Sequence, residues 1–292
     1  MNKFTITQFR AAYPNDDACL DKIFHLRFRD LICPKCESSK GFARIKDRRA
    51  YQCPGCGFQV YPTKDTVFEK STTPLIHWFY AIFLQTTTRN GVAAKELERQ
   101  LNISYPTALR MNHQIKLLMA GKRIGKLTGT VQIDESYFGM KVSNMHKKQR
   151  AEMYKNEVSP ADKKTAVMGF ISNDNQLKFE VMTDAKTFKD RVKANVSKKA
   201  VIVTDGHSGY SGLNLHYIKH EVINHLENEF KRGEYHTNGI ENAWSVLKRT
   251  IKGTHIHVSA KHLQKYVDEV AFRLMNKDKQ DTMFETILKN VV

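Results

Sequence analysis

Apolar positions change their period along this chain, and each change marks a different kind of element. From Pro74 to Met119 they recur at three- and four-residue intervals in "PLIHWFYAIFLQTT", "VAAKELERQL" and "YPTALRMNHQIKLLM", which predicts three helices. Only "NIS" separates the second from the third, with Leu97, Leu101, Ile103 and Leu109 placed to pack the pair and Ser104 at the third helix's N-cap. From Thr130 the period becomes that of strands. "TVQIDESYFG", "TAVMGFIS" and "QLKFEVMT" read as three strands, "TFKDRVKANV" as a helix, "AVIVTDG" as a fully buried strand and "HEVINH" as a fifth. The expected fold class is α/β, a mixed sheet with flanking helices. Between the first two strands, "KVSNMHKKQRAEMYKNEVSPADKK" is polar and basic and reads as a mobile loop, solvated or touching DNA.

After the fifth strand, "HTNGIENAWSVLKR" opens another helix. Ile240, Trp244, Leu247 and Ile251 form its apolar face. Asn238, Glu241 and Lys248 fall within about 80° of one another at the helical 100° per residue, so a polar stripe borders the buried one. Asn238 as N-cap with Glu241 three residues on would complete a capping box, which is the structural explanation of the stripe.

Four of the five cysteines change the picture for the N-terminal part. Cys33/Cys36 and Cys53/Cys56 form a C-x2-C-x16-C-x2-C pattern, in which two short turns each present two thiolates. Four sulfurs close a tetrahedron around Zn²⁺ with no position left for water, so the expected role of the metal is structural. Cys19 is left over as a buried thiol. "GFARIKDRRAYQ" and "GFQVYPT" read as short strands of a zinc ribbon, with Arg44, Lys46, Arg48 and Arg49 adding charge.

The 292 residues carry a net charge of +17, unevenly placed: residues 1–127 hold 21 Lys and Arg against 10 Asp and Glu. Such a balance favours a polyanionic partner, because basic side chains on nucleic acid release condensed counterions. The third helix would then expose Tyr105, Thr107, Arg110 and Asn112 or His113 to a DNA groove, although small three-helix units without a DNA role share this pattern. No h-region of a signal peptide opens the chain, and "PLIHWFYAIFL" is too short to span a bilayer, so a cytosolic protein without membrane association is expected. With no G-x-x-x-x-G-K-[ST] loop, ATP-driven chemistry has no support.

Two strands end in an acid: Asp134 follows "TVQI" and Asp205 follows "AVIVT". Burying an unpaired carboxylate is costly unless a cation compensates it, and active sites of open α/β sheets lie at strand ends. Glu135 adjoins Asp134, but alternation along a strand lets only one of them face the site. Glu241 lies 35 intervening residues beyond Asp205, enough for a strand and a connection that return its helix over the sheet.

Asp134, Asp205 and Glu241 together resemble the DDE triad of transposases and retroviral-type integrases. The likeness is closest to a bacterial insertion-sequence subgroup that joins a zinc ribbon to this core, on "IDESYFG", "VTDGHSGY", "HTNGIENAWSVLKR" and "GTHIHVSAKHLQKYVDEVAFR", over about residues 31 to 275. The resemblance implies a ribonuclease H-like catalytic domain, movement of a DNA element, and membership of Asn238 and Lys248 in the site pattern. Three carboxylates can hold two Mg²⁺ or Mn²⁺ ions about 4 Å apart for an in-line displacement at phosphorus. Lys248 would neutralise a phosphate oxygen, Asn238 would hydrogen-bond a ligand or the strand, and His236 and Arg249 are further DNA-contact candidates beside Ser104. A metal pair at His255 and His257 is disfavoured against a loop over DNA.

The organisation expected is a helical segment at 1–30, a zinc ribbon at 31–70, a helix-turn-helix unit at 71–122, a linker at 123–130, the catalytic domain at 131–276 and a tail at 277–292. Double-stranded DNA, as element ends and target, is the expected partner, and a homo-oligomer is expected because two ends must be handled together. Two alternatives remain: a zinc-ribbon regulator whose C-terminal domain only dimerises, and a ribonuclease H-like nuclease without strand transfer.

Overall fold

A computed structural model describes residues 4–121, 125–139, 146–155, 164–183, 187–224 and 231–291. The chain divides into two compact units, residues 1–121 with 279–292 and residues 122–278.

The first unit begins with α1 (Ile6–Ala12) and α2 (Asp16–Phe28), each opened by a side-chain cap, Thr5 onto Gln8 and Asn15 onto Ala18. Three two-residue strands follow as an antiparallel sheet in the order β1 (Ala43–Arg44), β2 (Tyr51–Gln52) and β3 (Gln59–Val60). So small a sheet buries little on its own. It is tied to α2 by Tyr51 stacked on Phe24, 4.0 Å between centroids, and by Arg44 paired with Asp17 at 2.7 Å. Arg49 reaches the Ser71 and Thr73 carbonyls and, at 3.5 Å, Asp16, so part of the ribbon's positive charge is satisfied within the unit.

The three predicted helices form as α3 (Leu75–Thr87), α4 (Ala94–Leu101) and α5 (Tyr105–Ala120). Asn102 ends α4 in the left-handed conformation, φ +49°, which lets the chain reverse in three residues. Leu97 and Leu101 are buried. The last residues, read from the sequence as a tail, contain α10 (Met283–Lys289), whose buried Phe284 meets Phe4, Phe9, Tyr13 and Phe79.

In the second unit a five-stranded mixed sheet has the order β6-β5-β4-β7-β8: β4 (Thr130–Phe138), β5 (Thr165–Ser172), β6 (Leu177–Val181), β7 (Val201–Asp205) and β8 (Lys219–Ile223). β4 pairs antiparallel with β5 and parallel with β7. Alternation along the strands sorts two cores. Val131, Ile133, Met168, Phe170 and Ile202 pack with Val192 of α7 (Phe188–Asn195) and with Tyr210 and Leu213. On the other side Val167, Phe179 and Val181 pack with Ile240, Trp244 and Leu247 of α8 (Asn238–Thr250) and with Leu263 and Val267 of α9 (Ala260–Met275). Helices therefore cover both faces.

One expectation is corrected between β4 and β5. Residues 147–155, read as loop, form α6 (Lys147–Lys155); of the rest of that stretch, 141–145 and 156–163 lie outside the described residues. The Lys, Gln, Arg, Ala and Glu of this segment favour helix without forming an apolar stripe, and Met153 is buried.

Candidate active site

Asp134 and Asp205 sit at the same level on neighbouring strands. The parallel pairing of β4 and β7 runs Thr130↔Val201, Val131↔Ile202, Gln132↔Val203, and each aspartate lies two residues beyond the last pair. Both therefore share the face of Gln132, toward α8. Asp134 Oδ2 accepts from the indole N–H of Trp244 at 2.9 Å, and Oδ1 from the Glu135 N–H at 2.8 Å. Burial pushes the Asp134 carboxyl up to about 6; the negative charges of Glu135 and Asp205 add to this, and the two hydrogen bonds oppose it. Asp205 Oδ1 accepts from the His207 N–H at 3.1 Å.

Two features bring α8 down onto these strands. Gly169 is the cross-strand partner of Asp134, and a Cβ there would lie 2.7 Å from both Ile240 and Trp244, so glycine makes room for the helix. Gln132 Oε1 accepts the Ile240 N–H at 3.0 Å, satisfying a first-turn donor of α8 from the strand beneath. Sequence reasoning missed Gln132, although a polar residue inside the apolar run "TVQI" was the available signal.

The capping box on Asn238 does not form. The N-cap is Thr237, one residue earlier, and its hydroxyl donates to Glu241 Oε1 at 2.7 Å. Thr237 is buried, so the cap side falls toward the sheet, and Asn238 becomes the first helical residue. Asn238, Glu241 and Lys248 are exposed along α8, while Ile240, Ala243, Trp244 and Leu247 are buried. Glu241 thus extends from the helix seated over Asp134, but the three acids do not gather into one tight group: among the described residues the one set of three or more potential ligands within 4.8 Å of one another is the four cysteines.

Those cysteines lie on two copies of one turn. Cys33 N–H bonds Ser38 O and Glu37 N–H bonds Cys33 O; Cys53 N–H bonds Phe58 O and Gly57 N–H bonds Cys53 O. The Sγ atoms of Cys33 and Cys56 are 3.5 Å apart and those of Cys36 and Cys53 3.6 Å, far beyond a disulfide and close to the about 3.8 Å that tetrahedral Zn–S bonds of 2.3 Å require. Burial raises the Cys33 thiol, but backbone N–H groups of Lys35 and Cys36 and the neighbouring thiols outweigh it and bring it down to about 7. The set fits structural zinc.

Residues 126–275 match the family described as the ISXO2-like transposase domain, and residues 14–59 match the transposase zinc-ribbon domain. The chain belongs to this transposase family. It is also 24% identical, over 90% of its length and 94% of the relative's, to an uncharacterized protein in transposable element ISH50 of Halobacterium salinarum.

The transposase's zinc-ribbon and DDE domains imply DNA binding. In α5, Ser104 occupies the N-cap position without a side-chain cap bond, its hydroxyl lying 3.0 Å from that of Thr107. Tyr105 is 43% exposed with Lys95 over its ring, and Thr107 is half-buried. Arg110 is exposed, yet its guanidinium lies over Trp78 and 3.4 Å from the Ser71 hydroxyl. Asn112, offered as a groove contact, is instead buried and donates to Val92 O at 2.7 Å; the half-buried His113 is the remaining candidate. His236 is half-buried against Gln132, 3.4 Å away, and Arg249 is exposed. His255 faces inward, 3.7 Å from Glu269 and edge-on to Tyr266, whereas His257 is exposed. No helix among the described residues is long and apolar enough to cross a membrane.

Proposed function

We propose that this transposase cleaves DNA at the ends of a mobile element and joins the resulting 3′-OH ends to target DNA, with Asp134, Asp205 and Glu241 as its catalytic acids. The observation that carries this reading is the shared register of Asp134 and Asp205 on adjacent parallel strands, with α8 bonded to Asp134 through Trp244. The mixed sheet with helices on both faces supports a ribonuclease H-like core. The acids offer hard oxygen donors and crowd negative charge around Asp134, whose raised pKa marks a site that a divalent cation would relieve. Mg²⁺ or Mn²⁺, when bound, supplies activation of a water or 3′-OH and stabilisation of the leaving oxygen. The chain's own part is to hold carboxylates on two strands and a helix, to steady Asp134 with the Trp244 indole, and to present Lys248 and Asn238 on the exposed stripe toward phosphate.

The finer organisation belongs to the same proposal. Residues 31–70 act as the ribbon, 71–122 as a helix-turn-helix unit that uses Ser104, Tyr105, Thr107 and Arg110 on element ends, and 131–276 as the catalytic domain, whose core also takes Leu127 and whose first strand takes Thr130 from the stretch expected as a linker; His236 and Arg249 contact DNA near the acids. Two ends handled together require a homo-oligomer.

The test uses an element-end duplex with Mg²⁺ or Mn²⁺. Asp134→Asn, Asp205→Asn and Glu241→Gln should each abolish cleavage and the joining of precut ends while DNA binding persists. Near-wild-type joining by Glu241→Gln would return α8 to a structural role. Cleavage by the unaltered protein without joining of precut ends would identify a nuclease.

A further inference from the structure

We infer that Glu135 is a positioning residue: through Tyr210 and His207 it fixes the loop that follows β7 and thereby the carboxylate of Asp205. The inference rests on Asp205 being a metal ligand, and concerns what holds it.

Glu135 lies on β4 opposite in direction to Asp134, and its side chain is only 7% exposed. A carboxylate in such a place needs a partner, and its partners come from one loop. The Tyr210 hydroxyl donates to Glu135 Oε2 at 2.6 Å, and His207 Nε2 lies 3.9 Å from Oε1. His207 is itself oriented by its neighbours. Its Nδ1 accepts the Gly209 N–H at 3.0 Å, which turns Nε2 to the side of Glu135, near it but beyond hydrogen-bond distance. The same residue's backbone N–H is the one that donates to Asp205 at 3.1 Å.

The loop is packed as well as bonded. Phe188 of α7 lies 5.2 Å from the His207 ring and stacks on Tyr210 at 5.6 Å. A Cβ on Gly209 would lie 2.2 Å from Phe188 and 2.9 Å from His207 Nδ1, so only glycine permits this stack. Two successive residues of β4 thus divide the work. Asp134 faces the reacting side, and Glu135 reaches behind the sheet to hold the turn on which the other aspartate depends. A loop needing only burial would be held as well by two apolar side chains. A buried carboxylate, a phenol and an imidazole instead specify one orientation, as outer groups around metal ligands do.

Tyr210→Phe removes the hydrogen bond and keeps the stack, and Glu135→Gln keeps an acceptor for Tyr210. Three readouts separate positioning from simple stability: hydrogen exchange of residues 206–210 in protein without added divalent metal, the Mn²⁺ concentration that half-maximally raises the unfolding temperature, and the Mg²⁺ midpoint for joining precut ends. Tyr210→Phe should expose the 206–210 amides to faster exchange and raise both metal midpoints about tenfold, with joining restored at saturating metal. Glu135→Gln should shift them less than Tyr210→Phe. Unchanged exchange and midpoints in Tyr210→Phe overturn the inference, as does a loss of joining that saturating metal leaves in place. Metal-dependent joining by Asp205→Asn would instead sink the assignment of Asp205 itself.

Discussion

The cysteine set of this chain and its proposed set of catalytic acids are built by opposite routes. The four thiols of the first unit arise from two short turns of the same design, and their sulfurs already lie within 4.8 Å of one another. The acids of the second unit come from β4, β7 and α8; two share a register, and the third accepts a hydrogen bond from Thr237. Soft ligands on local turns can close a site in advance because each pair is separated by two residues. Like-charged carboxylates repel, so an open site of hard ligands is assembled by the surrounding packing and completed by cation and substrate.

The largest expected effect breaks the first half of that contrast. Cys53→Ser, or removal of zinc by a strong chelator, should unfold the ribbon, since structural zinc contributes on the order of 10 kcal/mol to small zinc folds. Wild-type protein should carry about one zinc per chain, and hydrogen exchange across residues 31–60 should become fast without it. A zinc-free protein that still protects those amides would show that this sheet and α2 suffice.

Next in size is the close approach that assembles the second site. Gly169→Val should cost about 1–3 kcal/mol of stability by forcing Ile240 and Trp244 away from β5, with joining lost as α8 is displaced from Asp134. Denaturant midpoints and precut-end joining, measured together, check it; full activity in a stable Gly169→Val protein would show that α8 need not sit so close.

The charge stored at Asp134 gives an effect of similar or smaller size with a definite sign. Its carboxyl rises from the ordinary 3.8 to about 6, so folding favours the protonated form. That contribution is fully present below pH 4 and is lost as pH rises through 6. Without added divalent metal, Asp134→Asn should therefore exceed wild type by up to about 2–3 kcal/mol at pH 7.5 and match it near pH 4. Mn²⁺ should stabilise the wild type and not the variant. Equal stability at both pH values would mean that the aspartate is not strained by burial and its neighbours.

Arg110→Ala should weaken binding to element ends by about 1–3 kcal/mol if the side chain reads a base, and less selectively if it holds phosphate. Competition between element-end and random duplexes separates the two. Binding unchanged on both would leave Arg110 as packing for Trp78, the role its position over that ring already provides.

How far these features could be read in advance follows the same division. Helix faces and the cysteine pattern are local, and Asp205 at the end of β7, the α8 stripe and the sulfur cluster stand where periodicity and spacing put them. Asp134, expected at a strand end, instead lies in the middle of β4, because the pairing with β5 runs on past it to Phe138. What escaped was set by packing between distant segments. The α8 cap moved from Asn238 to Thr237 because Gln132, on a strand about a hundred residues earlier, supplies a first-turn acceptor. Asn112 belongs to the buried side of α5 with Ala108, Met111 and Ile115, where its amide meets Val92 O; its polarity alone suggested exposure. Glu135 carried no signal beyond adjacency to Asp134, since its partners lie 72 and 75 residues further along at His207 and Tyr210.

The smallest effect sharpens the contrast inside the ribbon itself. Each turn places the residue after its second cysteine in the left-handed region: Gly57 at φ +70° and Glu37 at φ +55°. The backbone demand is the same, for in both turns that residue's N–H bonds the carbonyl of the first cysteine. Glycine meets it without strain, whereas a side chain in this region costs about 1 kcal/mol. Glycine also adds freedom to the unfolded chain, which offsets part of the gain. Glu37→Gly should therefore stabilise the zinc-loaded ribbon by a few tenths of a kcal/mol, and Gly57→Ala should destabilise it by about 1 kcal/mol. Opposite signs at equivalent positions exclude a general effect of altering the loop. The measurement is the zinc-chelator concentration needed to release half of the metal, compared between the two variants and wild type. If both substitutions shift it in the same direction, the two turns are not equivalent, and the symmetry of the four-sulfur site is only that of its sequence.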